Sequence, residues 1–207
     1  MSNREWEKAE EIGWETYYRW VEGRDLRQVF VDALPCLPEA DDDRERLAID
    51  LGCGDGKEAL VLLERGWTVL AVDGAPEGIA RLVDAVPPGD AGRLTTKIAA
   101  YADVELPEAD LVYAGFSLPF CDPRDFPGLW KGVVAAIRPK GVFAGNFFGP
   151  RDTWFGTPDM TFHTQEEVEG LFAGFDVVSL REEDTDGHAA SGPKHWHVFH
   201  VIAQKRS

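Results

Sequence analysis

Three glycines and an acid stand at the end of one apolar segment, at a spacing suited to holding a nucleotide-like ligand. Gly52, Gly54 and Gly56 follow the apolar run Leu47–Leu51, and Asp50 lies near the end of that run. Glycines at the end of a strand tolerate positive φ and let a ligand press against bare backbone. A helix that follows directs its free N–H groups at the same place. The segment therefore predicts a ligand site at this turn.

The order of residues in the turn separates two classes of nucleotide ligand. The dinucleotide fingerprint G-x-G-x-x-G would need a third glycine at position 57, where the chain has Lys57. The carboxylate of Asp50 would oppose a pyrophosphate, whereas it can accept a hydrogen bond from a bound ammonium. The turn therefore favours S-adenosylmethionine. The alternative is an NAD-dependent oxidoreductase, and both Lys57 and Asp50 argue against it.

A second acid, Asp73, follows the apolar run Trp67–Val72, one helix and one strand after the glycine turn. A carboxylate at that place can accept hydrogen bonds from both hydroxyls of a ribose. Both classes of ligand carry a ribose, so Asp73 supports a nucleoside-containing ligand without choosing between them.

These residues must be positioned by short apolar runs that alternate with amphipathic segments. The alternation predicts an α/β fold with a mostly parallel sheet, helices on both faces and an antiparallel pair at the C-terminus. The predicted strands are Leu47–Leu51, Trp67–Val72, Leu94–Ala100, Asp110–Ala114, Gly141–Phe148, Asp176–Glu182 and His195–Gln204. The predicted helices are Lys57–Arg65, Pro76–Val86, Phe126–Ile137 and one that begins at Thr164. The last two strands are expected to be joined by the turn-rich segment Asp184–Pro193.

An aromatic-rich opening precedes these elements and has two interpretations. Trp14, Tyr17 and Tyr18 recur at helical spacing, so their rings either close over a ligand as a lid or pack on the core. Prolines and a run of charged residues then predict a linker. We therefore predict a helical lid or cap at residues 1–45 and the ligand-binding domain at residues 46–207, within one structural domain.

The charge of the chain bears on its partners. With 21 basic and 37 acidic residues, the formal net charge is −16, which disfavours nucleic acid and anionic lipid because both bind through basic side chains. No apolar run reaches the ~18 residues of a membrane span, and no secretory signal is evident, so we expect a cytoplasmic location. The three scattered cysteines predict neither a disulfide framework nor a zinc ribbon.

Five motifs follow one another between about Leu47 and the C-terminus. They are Asp50–Gly56, Val72–Gly74, Asp103 with Leu106–Pro107, Asp110–Tyr113 and Arg138–Gly141. Together they resemble the class I S-adenosylmethionine-dependent methyltransferases, and the chain looks most similar to the small, single-domain members of the tellurite-resistance and thiopurine type. The resemblance implies a Rossmann-like three-layer sandwich with a seven-stranded sheet of order 3-2-1-4-5-7-6.

The resemblance also implies how S-adenosylmethionine would be held and S-adenosylhomocysteine released. The glycine turn would face the methionine part, and the second strand would end beside the adenosine. Asp103 would accept from the adenine amino group, although a surface loop acid is the alternative for this residue. The implied cofactor-binding residues are Asp50, Gly52, Cys53, Gly54, Gly56, Asp73, Gly74, Ala102, Asp103, Val104 and Ala114.

The methyl acceptor is less well indicated. The segment Ser117–Phe120 departs from the Asn/Asp-Pro-Pro-Tyr/Phe motif of nucleic-acid amino methyltransferases, so a small-molecule acceptor is expected: a thiol, amine, hydroxyl or metalloid oxyanion. Candidate catalytic residues are Tyr18, Asn146 and His163. His195 and His197 alternate on one face of a strand but lack a third spaced ligand, so no metal is predicted. A protein that binds S-adenosylmethionine without turnover is the alternative function.

Overall fold

A seven-stranded sheet forms the centre of the protein in a computed structural model, which describes residues 23–39 and 44–207. The strand order is β3-β2-β1-β4-β5-β7-β6, and β7 runs antiparallel to the other six strands. This confirms the order and the fold class that the sequence predicts. The strands are β1 (Leu47–Leu51), β2 (Thr68–Asp73), β3 (Leu94–Ile98), β4 (Ala109–Ala114), β5 (Ile137–Phe148), β6 (Phe175–Ala189) and β7 (Gly192–Lys205).

Helices cover both faces of the sheet and make three layers. One face buries apolar side chains of α1 (Gln28–Ala33), α2 (Lys57–Glu64) and α3 (Pro76–Ala85). The other buries those of α4 (Phe126–Ala136) and α5 (Gln165–Leu171). Both faces of β1 and β4 are therefore covered, which is why these strands read as continuous apolar runs. Among the described residues, no helix is long and apolar enough to cross a membrane.

The start of α5 follows directly from its sequence. Thr164 accepts a hydrogen bond from the backbone N–H of Glu167 (3.2 Å), and the Glu167 carboxylate accepts one from the Thr164 N–H (2.7 Å). This capping box satisfies two N–H groups that have no partner inside the helix. The predicted helix start is confirmed.

The C-terminal hairpin is longer than predicted. The segment Asp184–Pro193 was expected to be a loop, but β6 and β7 pair through it, and only Ala190 and Ser191 lie outside the strands. Ionic pairs across the strands, such as His195 with Asp184 and Asp186 at 2.7 Å each, outweigh the turn-forming tendency of its glycines and proline. The prediction of a loop is therefore wrong.

The long hairpin extends past the rest of the sheet. The last residue of β5, Phe148, pairs with Val198, so Gly192–His197 of β7 has no β5 neighbour. Six residues of antiparallel strand span about 20 Å. The hairpin therefore overhangs the edge of the sheet at which the parallel strands end.

Helix α1 is the first helix among the described residues, and its Val29, Phe30 and Ala33 are buried in the core. This helix belongs to the predicted segment 1–45. Trp14, Tyr17 and Tyr18 lie outside the described residues, so the division at residue 45 and the lid stay predictions.

One buried acid, Asp110, ties three strands together at the opposite edge of the sheet. Its carboxylate accepts hydrogen bonds from Arg138 (2.7 Å), from Arg44 (3.0 Å) and from the Leu47 N–H (3.0 Å). Burial opposes ionisation of this carboxyl, but the hydrogen bonds and charges of these partners hold its pKa below the ordinary value of 3.8. The motifs around Asp110 and Arg138 therefore meet in a structural contact.

A folded-state pKa below the unfolded value means that ionised Asp110 stabilises the fold above about pH 4 and that this contribution is lost as the pH falls through the folded pKa. We expect Asp110→Asn to lower the free energy of unfolding by about 1–3 kcal/mol at pH 7. The difference in the free energy of unfolding between variant and wild type should be smaller at pH 3 than at pH 7, as measured by urea unfolding at both pH values. Asp176→Asn, at an exposed ion pair, is the control; a gap independent of pH would contradict the assignment.

Candidate functional site

One cavity of about 830 Å³ opens at the carboxyl ends of the parallel strands, beneath the overhanging hairpin. Such a volume lies in the upper part of the range of ~300–1,000 Å³ for ligand sites. One end is polar and is built on the glycine turn and β2, and the other is aromatic. The tip of the hairpin also lines the cavity, through His188, Ala189, Ala190 and Ser191.

The glycine turn is held against the neighbouring strand by its backbone. The N–H groups of Gly52 (2.7 Å) and Cys53 (3.0 Å) both donate to the carbonyl of Val72. Gly52 has φ +79° and Gly54 has φ +55°, a region that side chains other than glycine disfavour. The backbone of this turn therefore adopts the positive φ angles for which the sequence predicts glycine.

Asp73 joins the turn to the start of α3. One carboxylate oxygen accepts from the Gly54 N–H (2.7 Å) and the other from the Ala75 N–H (2.8 Å). The side chain is only partly buried and lines the cavity. Two backbone donors therefore fix the orientation of a carboxylate that still faces the ligand space.

Asp50 is a buried carboxyl with an unused oxygen. It is 1% exposed, and its Oδ2 has no hydrogen-bond partner among residues 23–39 and 44–207. Burial, reinforced by the nearby carboxylates of Glu58 and Asp73, raises the pKa of Asp50 well above its usual range. Because Asp50 lines the cavity, a bound cation with N–H donors would satisfy the free oxygen and favour the charged form.

Two arginines that no sequence pattern indicates also line the cavity. Arg24 forms a bidentate ion pair with Glu58 (2.7 and 2.6 Å), and the backbone N–H of Arg27 donates to the same carboxylate (3.1 Å). Burial favours neutral Glu58, but these contacts hold its pKa below the ordinary value. The guanidinium of Arg27 lies 4.5 Å from the centre of the Phe116 ring. No spacing in the sequence relates Arg24 to Glu58, so only the fold could reveal the pair.

Ser117 and Tyr101 form the floor between the ends of β1 and β4. The Ser117 hydroxyl donates to the carbonyl of Leu51 (2.5 Å), and the Tyr101 hydroxyl bonds to Ser117. Burial, despite that hydrogen bond, raises the pKa of Tyr101, so its hydroxyl stays protonated at neutral pH. Gly52 packs directly against both side chains.

Aromatic rings form the other end of the cavity. Phe116 contacts Phe148, Trp196 and His200 edge-on, with ring centres 5.9–6.2 Å apart. Phe116 itself has φ +54°, which is costly for a residue with a bulky side chain. Its N–H donates to the Asn146 side chain (3.1 Å), which helps to hold this conformation. Phe120, Trp154 and Met160 complete this end.

The structure brings together seven of the predicted cofactor-binding residues. The ones that line the cavity are Asp50, Gly52, Cys53, Gly54, Asp73, Gly74 and Ala102. This places them around one space, and their roles toward a cofactor stay predictions.

Four predicted cofactor-binding residues lie outside the cavity wall. Gly56 begins α2 in a left-handed conformation against Leu82, and Val104 packs on the core. Asp103 is exposed, and Ala114 is fully buried, so that Gly115 after it lines the cavity instead.

The candidate catalytic residues fall in three different places. Asn146 is fully buried behind Phe116 and hydrogen-bonds to His200. His163 lies outside the cavity, with its ring centre 4.6 Å from that of Phe126, and burial lowers its pKa. Tyr18 lies outside the described residues.

His195 and His197 of β7 belong to an ionic network on the hairpin. Ligand atoms of Glu182, Asp184 and His197 lie within 4.8 Å of one another, but Arg151 already pairs with both acids, at 2.5 and 2.7 Å. His197 accepts the Arg151 N–H at Nδ1 (3.0 Å), so Nε2 carries its proton and donates to Glu182 (2.8 Å). Neither nitrogen of His197 has a lone pair free for a metal.

Known proteins share both the sequence of the core and the arrangement of the strands. A family model described as a methyltransferase domain matches residues 48–141. The magnesium-protoporphyrin O-methyltransferase of Rhodobacter capsulatus is 37% identical over 144 residues, which are 65% of this chain and 60% of that protein. The chain spans 60% and 64% of the length of the first curated relatives that it matches.

Solved structures are similar over nearly the whole chain. TehB from Haemophilus influenzae superposes with a TM-score of 0.71 at 15% identity, covering 92% of this chain and 66% of that one. The 1,6-didemethyltoxoflavin-N1-methyltransferase of Burkholderia thailandensis, solved with its substrate and S-adenosylhomocysteine, gives 0.66 at 18% identity, covering 100% and 92%. At these identities the likeness concerns the fold.

Proposed function

Since the chain belongs, by its fold and its matched domain, to the class I S-adenosylmethionine-dependent methyltransferases, we propose that it transfers a methyl group to a small molecule held at the aromatic end of the cavity. The observation that carries the proposal is the free carboxylate oxygen of Asp50, which lines one continuous cavity together with the aromatic rings. S-adenosylmethionine supplies an electrophilic methyl group on a sulfonium when bound.

The residues around the glycine turn fit such a cofactor chemically. Asp50 would accept a hydrogen bond from the ammonium group of the cofactor. The positive charges of Arg24 and Arg27 would favour the carboxylate group of the cofactor. Asp73, already oriented by two backbone N–H groups, would accept from the ribose hydroxyls. These residues bind and orient, which is the main contribution a protein makes to an in-line transfer.

The charges of the cavity support a small molecule over a nucleic acid. Seven carboxyl side chains and two arginines line it, and a phosphate chain would meet repulsion there. The acids are Asp50, Asp55, Glu58, Asp73, Asp122, Asp125 and Glu183.

Calorimetry and a turnover assay test this function together. We expect S-adenosylmethionine and S-adenosylhomocysteine to bind one site per chain, and S-adenosylhomocysteine to be released when phenols, amines, thiols, oxyanions and carboxylates are screened as acceptors. Binding without release for any acceptor class would support a non-catalytic binding protein. Binding of NADH and not of S-adenosylmethionine would overturn the proposal.

Asp50→Asn tests how the cofactor is held. Loss of a charged hydrogen bond to the ammonium should weaken S-adenosylmethionine binding about 10–100-fold. The nucleoside 5′-methylthioadenosine lacks the amino-acid part, so its affinity should stay within twofold of the wild type. Equal losses for both ligands, measured by calorimetry, would contradict the role given to Asp50.

Asp50→Asn should weaken cofactor binding, but it should not lower the stability of the ligand-free protein. The folded-state pKa of Asp50 lies above its unfolded value, so the wild type loses stability as the pH rises toward that folded pKa. Asparagine removes the buried charge, and ligand-free Asp50→Asn should be at least as stable as the wild type at pH 8.

A further inference from the structure

A buried chain of hydrogen bonds connects the end of β4 with an acid on the hairpin. The Phe116 N–H donates to Asn146 Oδ1 (3.1 Å), Asn146 Nδ2 lies 2.7 Å from His200 Nδ1, and His200 Nε2 lies 2.9 Å from the Glu183 carboxylate. Asn146 is fully buried and His200 is 7% exposed. Glu183 lines the aromatic end of the cavity.

Each proton in this chain has one consistent place. A backbone N–H can only donate, so Asn146 presents its oxygen to Phe116 and its amide nitrogen to His200. His200 then accepts at Nδ1 and donates from Nε2 to Glu183. Burial, with the nearby charge of Arg181, lowers the pKa of His200 although Glu183 opposes this, so the ring stays neutral. The chain therefore orients the Glu183 carboxylate and leaves its negative charge in place.

The cavity wall that Glu183 shares also carries flat, apolar rings. Trp196 and Phe148 are in ring contact with each other and with Phe116, which is also in contact with His200. Phe116 lies two residues after β4, so this group lies beside the strand end that also carries Ser117. A planar molecule can lie against these rings with its edge toward the carboxylate.

Two other acids line the cavity after β4, and they differ from Glu183. Arg124 binds both carboxylate oxygens of Asp122, at 2.9 and 2.5 Å. Asp125 is exposed at the start of α4, and its side chain makes no capping hydrogen bond. Glu183 has a buried partner that orients it and aromatic rings beside it. Its arginine neighbour, Arg181, lies 3.7 Å from the oxygen that His200 binds, farther away than Arg124 is from Asp122.

We propose that the acceptor is a flat, apolar molecule with an O–H or N–H nucleophile, and that Glu183 is the catalytic base that takes its proton. The inference rests on the proposed function. In the transfer, an acceptor lone pair forms a bond to the methyl carbon while the carbon–sulfur bond breaks and its electron pair goes to sulfur. The acceptor proton moves to the Glu183 carboxylate, and His200 and Asn146 are positioning residues.

The same charge excludes one class of acceptors. A carboxylate or oxyanion in place of the hydroxyl would lie beside the negative charge of Glu183, and like charges repel at such short range. Anionic acceptors are therefore selected against.

One ring system with different substituents tests the inference. 2-Naphthol, 2-naphthylamine and 2-naphthoate are titrated by calorimetry into the complex with S-adenosylhomocysteine and are then assayed with S-adenosylmethionine. We expect the naphthol and the amine to bind at least tenfold more tightly than the naphthoate and to be the compounds that are methylated. Equal or tighter binding of the naphthoate, or no binding of any naphthalene, would overturn the assignment.

Variants identify the base. Glu183→Gln should lower kcat for 2-naphthol at least 100-fold and should narrow the gap between naphthol and naphthoate affinities, while S-adenosylhomocysteine binds within twofold of the wild type. Glu182→Gln, on the opposite face of the same strand, is the matched control and should keep its kcat. A 100-fold loss in Asp125→Asn, with Glu183→Gln active, would overturn the role of Glu183.

The positioning role of His200 has its own readout. His200→Leu removes the N–H donor and should lower kcat about tenfold with little change in KM, and His200→Gln, which keeps a donor, should recover most of the loss. If leucine and glutamine variants behave alike, His200 is only structural. Failure of the wild type to bind S-adenosylmethionine would instead refute the proposed function itself.

Discussion

Replacing Gly52 with alanine is expected to abolish cofactor binding and to destabilise the fold by about 2–5 kcal/mol. Its φ of +79° disfavours any side chain by about 1–2 kcal/mol. A Cβ at this position would also overlap the side chain of Ser117 and lie 2.9 Å from the Tyr101 hydroxyl, and such overpacking costs about 1–3 kcal/mol. Calorimetry with S-adenosylhomocysteine should show a loss of at least 100-fold.

Gly66 offers a matched control for the backbone effect. It has the same φ of +79°, at the end of α2, but a Cβ there would meet nothing within 4 Å. Gly66→Ala should therefore lose only about 1–2 kcal/mol and bind S-adenosylhomocysteine normally. If the two variants unfold at the same denaturant concentration and bind alike, crowding at Gly52 has no effect and the assignment is wrong.

The second large effect is expected for Lys194, whose ammonium is buried beneath the aromatic end of the cavity. Its side chain is 1% exposed and pairs with Asp152, which also accepts the N–H groups of Trp154 (3.0 Å) and His197 (3.2 Å). The ammonium lies 3.9 Å from the centre of the Trp154 ring and 4.3 Å from that of Trp196. Lys194→Met would leave a charged carboxylate in this interior, and we expect a loss of about 3–5 kcal/mol in the free energy of unfolding.

A double variant separates the pair from the packing. Lys194→Met with Asp152→Asn removes both charges and should recover part of the stability in urea unfolding. Arg206→Met, which breaks an exposed pair with Asp176, should change the free energy of unfolding by less than about 1 kcal/mol. A loss at Lys194 no larger than that at Arg206 would show that the buried pair does not stabilise the protein.

Local signals explain why much of the fold could be predicted. Continuous apolar runs such as Leu47–Leu51 are found where a parallel strand is covered on both faces, and the box of Thr164 and Glu167 marks a helix start through two specific hydrogen bonds. The sheet order came from the resemblance of five motifs, since spacing alone does not order strands. The glycine turn could be predicted because its positive φ angles favour glycine over other residues.

The contacts in the cavity wall between residues far apart in sequence were not predictable for a physical reason. Arg24 reaches Glu58 across 34 positions of the sequence, and Glu183 meets His200 only because β6 and β7 pair in one register. The sequence prediction stopped β6 at Glu182, one residue before the acid that lines the cavity, because glycine and proline beyond it indicate a turn. Cross-strand ionic pairs, which no local pattern reports, extend the strand.

The overhanging hairpin supplies part of the aromatic end from a segment outside the matched domain. The matched domain ends at residue 141, and Phe148, Glu183 and Trp196 come after it. Phe116, Phe120 and the turn that we propose to face the methyl donor come before that point. Segments at the surface that connect the elements of a fold tolerate sequence change better than the core strands, and the tip of this hairpin is such a segment. Under the proposed function, grafting residues 183–197 between homologues is thus a route to new acceptor specificities that leaves the glycine turn unchanged.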